Sequence, residues 1–146
     1  MEFFLRNFSH VPDDKLDWTP VPTAKSAIRI AAHTALYASR FAKMIRERRI
    51  PTPDNLTEWL AERDAEEVAL TSREEIERVF RAGTDELLAA LDTLGPQELE
   101  MSLDSGQGWS MPMKQMMVLP AVHATLHTGQ IDYLQTCWDD QQVYVG

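Results

Sequence analysis

Apolar residues recur at intervals of three and four positions along three long stretches of the chain, which is the spacing of one face of an α-helix. These stretches predict helices over residues 23–48, 72–94 and 110–138. The stripe of the first helix consists of Ile30, His33, Tyr37, Phe41 and Met44. The stripe of the third consists of Met116, Leu119, His123, Leu126, His127, Ile131 and Leu134. Three histidines therefore occupy positions that would face the core.

Start and stop signals set the boundaries of these helices. Thr23 is expected to cap the first helix, and Ser72 with Glu75 forms a capping-box pattern at the start of the second. Gly83 interrupts the second helix at a cost of about 1 kcal/mol relative to alanine, which predicts close helix packing at that point. Gly95 and Pro96 are expected to end it.

Two shorter helices are predicted over residues 2–10 and 54–67. The second would be anchored by Leu56, Trp59 and Leu60, while its acidic positions from Glu58 to Glu67 would form a solvated face. The connections 49–71 and 95–110 are long, and long connections often carry function. No segment alternates apolar and polar residues as a strand does. We therefore expect an all-α protein, a four-helix bundle in which residues 1–146 form one domain.

Composition and charge narrow the class of protein. The 146 residues are 44% hydrophobic and 25% charged, an ordinary globular mixture. The net charge of −9 repels phosphate backbones and anionic lipid, so neither nucleic acid nor a membrane is an expected partner. A single cysteine, with no pattern of a signal peptide or membrane span, leads us to expect a cytoplasmic protein.

The pair His123 and His127 suggests metal chemistry, because residues four apart lie on one face of a helix, one turn from each other. A shared metal ion would remove the cost of burying unpaired polar rings, about 1–3 kcal/mol each. His33, in the middle of another stripe, would supply a third ligand. Three histidines leave a fourth coordination position open, as in catalytic metal sites. Zinc or nickel is the expected ion, with iron or manganese as alternatives.

The alternative is that these histidines are hydrogen-bonded core residues. The fourth histidine, His10, is expected at the surface or as a helix cap. Cys137 lies about 15 Å of helix beyond His127, too far to bind the same ion. Core or pocket lining is expected for the methionines Met111, Met113, Met116 and Met117. The sequence lacks glycine-rich nucleotide loops, Cys-x-x-Cys pairs and His-Glu-x-x-His motifs.

The last third of the chain resembles the DinB-like family of bacterial helical bundles, whose last helix carries H-x-x-x-H-x-G-Q-I. Here that motif begins at His123 and reads HATLHTGQI. The match extends to the stretch from Val11 to Pro20, followed by Ser26 and His33. The resemblance implies a four-helix bundle with a three-histidine site for a divalent metal ion, usually in a homodimer. Position by position, it assigns His33, His123 and His127 as the ligands.

The resemblance also suggests a reaction class, because some members are S-transferases that use low-molecular-weight thiols such as bacillithiol or mycothiol. A related branch isomerises maleylpyruvate. Our leading hypothesis is a metal-dependent enzyme, a thiol-dependent S-transferase or a hydrolase, acting on a small-molecule substrate. The alternative is a stress-related protein that binds a metal or small ligand without catalysis. Tyr37 and Gln130 are candidates to reach the pocket, and no catalytic residue is assigned.

A homodimer is the expected assembly. The family resemblance implies a homodimer. In addition, the short first helix would leave apolar side chains exposed around Phe3, Phe4 and Trp59, and a second copy of the chain would cover them.

Overall fold

The computed structural model describes residues 2–144, which are mostly helical, as predicted. In chain order the elements are α1 (Glu2–Ser9), a 3-10 turn (Asp13–Lys15), α2 (Ala27–Glu47), α3 (Leu56–Ala69), α4 (Arg73–Leu91), α5 (Pro96–Leu99), β1 (Ser102–Asp104), β2 (Ser110–Pro112) and α6 (Met113–Cys137). No helix in this described part combines the length and the apolar character needed to cross a membrane.

Side-chain hydrogen bonds cap the starts of α3 and α4. The side chain of Ser72 accepts the backbone N–H of Glu75 at the start of α4, as predicted. Helix α2 begins later than predicted, because its N-cap position is Ser26 rather than Thr23. Helix α3 is capped by Asn55, whose side chain accepts a backbone N–H one turn along. Sequence signals locate such boundaries only to within a few residues.

Helices α1, α2, α4 and α6 all contribute to one apolar core. Phe4 on α1 contacts Phe80 on α4, with ring centroids 5.0 Å apart. The prediction of close packing at Gly83 is confirmed, because a Cβ there would lie 2.9 Å from both the Cβ of Ala38 and the backbone nitrogen of Ser39. A run of alanines on α2 therefore allows α4 to approach its backbone closely.

A second apolar cluster lies where α2, α4 and α6 meet the hairpin. Met113 and Met116 are fully buried in it, and Met111 and Met117 pack against it. The expectation that these methionines serve as core residues is thus confirmed.

Three expectations about surfaces and connections are wrong. Strands β1 and β2 form an antiparallel hairpin with Leu103 opposite Met111, where an irregular connection was expected; three-residue strands are too short to show alternation. Leu56 and Leu60 do not anchor α3, since they are 60% and 52% exposed. Phe4 is not a surface residue, since it is 1% exposed within the core.

Candidate metal centre

The three predicted histidines meet at one point between two helices. His33 comes from α2, and His123 and His127 come from successive turns of α6. The Nε2 atom of His123 lies 3.2 Å from Nε2 of His33 and 3.1 Å from Nε2 of His127. Two nitrogens that share a tetrahedral zinc ion lie about 3.4 Å apart when each Zn–N bond is about 2.1 Å. Both separations are therefore close to that of a shared metal site, and all three ligand atoms lie within 4.8 Å of one another.

Hydrogen bonds on the far side of two rings determine which nitrogen carries the proton. The Nδ1–H of His33 donates to Oε1 of Glu67 at 2.6 Å, and the Nδ1–H of His127 donates to Oε1 of Gln130 at 2.7 Å. Because a neutral imidazole has one N–H, both Nε2 atoms present a lone pair. Neutral His123 carries one ring proton, which can form a full hydrogen bond to only one of these two Nε2 atoms. At least one Nε2 lone pair therefore lacks a hydrogen-bond donor. A divalent cation would satisfy all three nitrogens, and the residues present fit such an ion.

Burial keeps the three rings neutral at physiological pH. For His123, burial is the largest cause, and together with the neighbouring His127 and His33 it lowers the pKa to about 3. Burial also lowers the pKa of His33 and of His127, although hydrogen bonds to Glu67 and Gln130 act in the opposite direction. Neutral imidazole is the form that binds metal ions, so the ligands need no proton release near pH 7.

Aromatic rings hold His123 in place. Its ring lies 4.9 Å from the Tyr37 ring and 5.3 Å from the Phe41 ring, measured between centroids. Tyr37 also packs against His33 at a tilt of 35°, with centroids 4.4 Å apart. Tyr37 therefore packs on two of the three candidate ligands, and this contact restricts the orientation of both rings.

Glu67 is the largest departure of the site from the sequence analysis, which placed it on a solvated face of α3. The structure buries it at 3% exposure. Its carboxylate accepts hydrogen bonds from His33 and Lys25, and Arg29 lies 3.6 Å away. Burial acts to raise the pKa of Glu67, but the hydrogen bonds from Lys25 and His33 outweigh this, and the net pKa is lowered. The carboxyl group is therefore ionised at neutral pH.

A cavity of about 610 Å³ adjoins the histidines, within the usual range for small-molecule sites. His33 and His127 lie in its wall, whereas His123 lies behind them and does not line it. Lys25 is the cationic residue of the lining, and the remaining residues are Pro20, Ala24, Ile30, Leu126, Gly129, Gln130, Tyr133 and Leu134. The cavity is thus largely apolar, with a few polar groups gathered near the histidines.

A sequence model of the DinB superfamily matches residues 4–131, a range that includes all three histidines. The chain belongs to the DinB superfamily. Among solved structures it is similar to a DinB-like protein, YjoA, from Bacillus subtilis, with a TM-score of 0.66 and 16% sequence identity. The similarity covers 99% of this chain and 88% of that one, and at this identity it shows the fold alone. No curated protein sequence matches the chain.

Two candidates of the sequence analysis, His10 and Cys137, lie outside the centre of this DinB-superfamily chain. Gln130 contacts His127 and lines the cavity, and Tyr37 packs on two of the rings without lining the cavity. His10 is exposed, and its Nδ1–H donates to the carbonyl of Arg6 at 2.8 Å, which agrees with the expected role at a helix end. Cys137 is exposed at the end of α6. Gln130 was found because it follows His127 by three residues on the same helix. Glu67 was missed because its contact with His33 joins two helices and leaves no local pattern.

Proposed function

We propose that this chain is a metal-dependent enzyme that acts on a small molecule through a divalent ion held by His33, His123 and His127. The observation that carries the proposal is the convergence of three Nε2 atoms beside an apolar cavity whose wall includes His33 and His127. Two of these atoms are unprotonated because Glu67 and Gln130 accept the protons of the opposite ring nitrogens. Zinc or nickel is the proposed ion, because three imidazoles suit both.

The open coordination position favours catalysis over a closed structural site. Within residues 2–144, the group of side chains able to share one ion consists of the three histidines alone. His10, the fourth histidine, stacks instead on Tyr144, with ring centroids 3.9 Å apart. An ion held by three protein ligands keeps a position for a substrate atom or water.

The proposed reaction is transfer of a low-molecular-weight thiol to an electrophile, with hydrolysis as the second possibility for the same site. A bound divalent ion supplies Lewis acidity, which lowers the pKa of a thiol or a water molecule. In the transfer, the sulfur forms a bond to an electrophilic carbon, the leaving group departs with its bonding electrons, and the thiol proton passes to solvent.

The chain's own residues bind and orient the substrate. Ile30 and Leu134 offer apolar contact area to its hydrocarbon part. The ammonium group of Lys25 lies in the same wall, where its charge is paired with Glu67. Gln130 holds the His127 ring by accepting its Nδ1–H, which keeps the Nε2 atom directed at the centre.

The first test is metal content by elemental mass spectrometry, on protein purified without a histidine tag. We expect about one metal ion per chain in the wild type and in His10→Ala, and none in His123→Ala. His10→Ala is the matched control, because it removes an imidazole outside the centre. A wild-type chain that is metal-free and takes up neither zinc nor nickel would return the histidines to a purely structural role.

The second test addresses the reaction. The metal-loaded protein would be incubated with several biological thiols and 1-chloro-2,4-dinitrobenzene, and thioether formation would be followed by absorbance. We expect a metal-dependent rate with at least one thiol. Full metal occupancy without any such rate would favour hydrolysis, or the non-catalytic binding protein, over thiol transfer.

We also propose a homodimer, formed through one face of α6 rather than through the predicted surface near Phe4. Val118, Val122, Leu126 and Tyr133 follow one another at helical spacing along this face and are 57%, 44%, 65% and 67% exposed. These positions carry no charge, so two copies of a chain with net charge −9 can meet there without placing like charges in contact. The cytoplasmic location stays a prediction.

A further inference from the structure

Helix α3 brings a charged group, and no apolar one, into the interior. Glu67 is its one buried residue. The apolar side chains of Leu56, Leu60 and Val68 on the same helix are 60%, 52% and 49% exposed. Trp59 is partly buried, but it packs against Arg63 and belongs to neither apolar cluster. The hydrophobic effect therefore does not explain why α3 lies against the bundle.

The partners of Glu67 all come from α2 and the segment before it. Its Oε1 accepts the Nδ1–H of His33 at 2.6 Å, and its Oε2 accepts from Lys25 and lies 3.6 Å from Arg29. Burying ionised groups costs several kcal/mol each, and a buried ion pair can often be replaced by apolar residues without loss of stability. Stability alone thus gives no reason for a carboxylate at this position.

The position of Glu67 relative to the candidate ligands provides a reason for a carboxylate at this place. The bond to Glu67 keeps the proton of His33 on Nδ1 and directs Nε2 toward Nε2 of His123, 3.2 Å away. A carboxylate behind a histidine ligand fixes the tautomer and the ring orientation, and it makes the imidazole a stronger donor. We propose that Glu67 is a positioning residue that acts through His33 to set the metal affinity of the site. This inference rests on the proposed metal centre.

If Glu67 had a purely structural role, its ion pairs would be equivalent to the others that hold α3 against α2. Two others are present: Arg29 pairs with Asp64 at 2.5 Å, and Arg40 pairs with Glu66. Glu66 is the neighbour of Glu67 on the same helix, it is half-exposed, and its ion pair does not involve a candidate ligand. Glu66→Gln is therefore the matched control, because it removes an α2–α3 ion pair and leaves the hydrogen bond between His33 and Glu67 in place.

The experiment measures zinc affinity of the full chain by competition with a chromophoric chelator at fixed pH. We expect Glu67→Ala to weaken zinc binding by about 10–100-fold, the usual effect of removing such an outer partner. Glu67→Gln is expected to lose less, because its amide oxygen still accepts the Nδ1–H but carries no charge. Glu66→Gln is expected to bind zinc like the wild type. Equal losses in Glu66→Gln and Glu67→Ala, or no loss in Glu67→Ala, would overturn the proposal.

A second measurement does not depend on the folding of any variant. Long-range ¹H–¹⁵N spectra of the metal-free wild type report which nitrogen of His33 is protonated. We expect the Nδ1–H form, and a His33 ring protonated on Nε2 would overturn the proposal. Failure of this inference is distinguishable from failure of the metal centre: in the first case the wild type binds zinc and Glu67→Ala does so equally well, whereas in the second the wild type does not bind zinc.

Discussion

Replacing His123 with phenylalanine separates the two interpretations of the histidine cluster. The Nε2 atom of His123 is the one that both other Nε2 atoms approach, at 3.2 and 3.1 Å, so its loss removes the centre of the donor set. The phenyl ring has no nitrogen but fits the aromatic surroundings, where Tyr37 and Phe41 lie 4.9 and 5.3 Å away. We expect His123→Phe to fold without metal at least as stably as the wild type, since aromatic pairs contribute about 0.5–1.5 kcal/mol each.

The expected magnitude follows from linkage between binding and folding. An ion present at a thousand times its dissociation constant stabilises the folded wild type by about 4 kcal/mol. For a chain of this size 1 kcal/mol raises Tm by about 2–4 °C, so zinc should raise the wild-type Tm by about 8–16 °C. His123→Phe should lose nearly all of this increase.

The assay is thermal unfolding followed by circular dichroism, with and without zinc, at the same zinc concentration for every variant. His10→Ala serves as the control and should keep the full increase in Tm, because His10 is exposed and lies outside the centre. Our reasoning would be refuted by a His123→Phe variant whose Tm rises with zinc as much as that of the wild type.

Three further predictions follow from the same structure. The folded-state pKa of His123, about 3, lies below its ordinary value of 6.5. As the pH falls, this imidazole is protonated in the unfolded chain before it is protonated in the folded one, so acid favours unfolding. The free energy of unfolding of the metal-free wild type, measured by urea titration, should therefore fall more steeply between about pH 6.5 and 3 than that of His123→Phe. Gly83→Ala should destabilise the fold despite a helix-propensity gain of about 1 kcal/mol, because overpacking against the Ala38 Cβ and the Ser39 backbone nitrogen costs about 1–3 kcal/mol; a higher urea midpoint would contradict this. Leu126→Glu should convert the proposed dimer to monomer in size-exclusion chromatography with light scattering, and a wild type that is monomeric at micromolar concentration would remove the dimer proposal.

Side chains that face away from the core show how far local pattern can mislead. The sequence analysis counted Leu126 in the inward stripe of α6 because it fits the spacing of three and four, yet Leu126 is 65% exposed. Residues on either edge of a helical stripe differ little in spacing, so the neighbouring helices decide which edge is covered. Phe4 was placed at the surface for a different reason, the shortness of the first helix, although Phe80 covers it.

The sequence by itself determined the helices, the family and the three candidate ligands. Helical spacing and caps depend on residues within one turn of each other, and so does the pair His123 and His127. His33 was assignable because its position matches the family pattern as well as the apolar stripe of its helix.

Only the tertiary structure decided how those ligands are held. The bond between His33 and Glu67 joins residues on different helices, and no spacing rule connects them. Helix α3 has no buried apolar side chain to indicate which face turns inward, so Glu67 was indistinguishable from its solvated neighbours. The β-hairpin was undetectable because its strands are only three residues long. Strands of that length show no alternation that would predict the pairing of Leu103 with Met111.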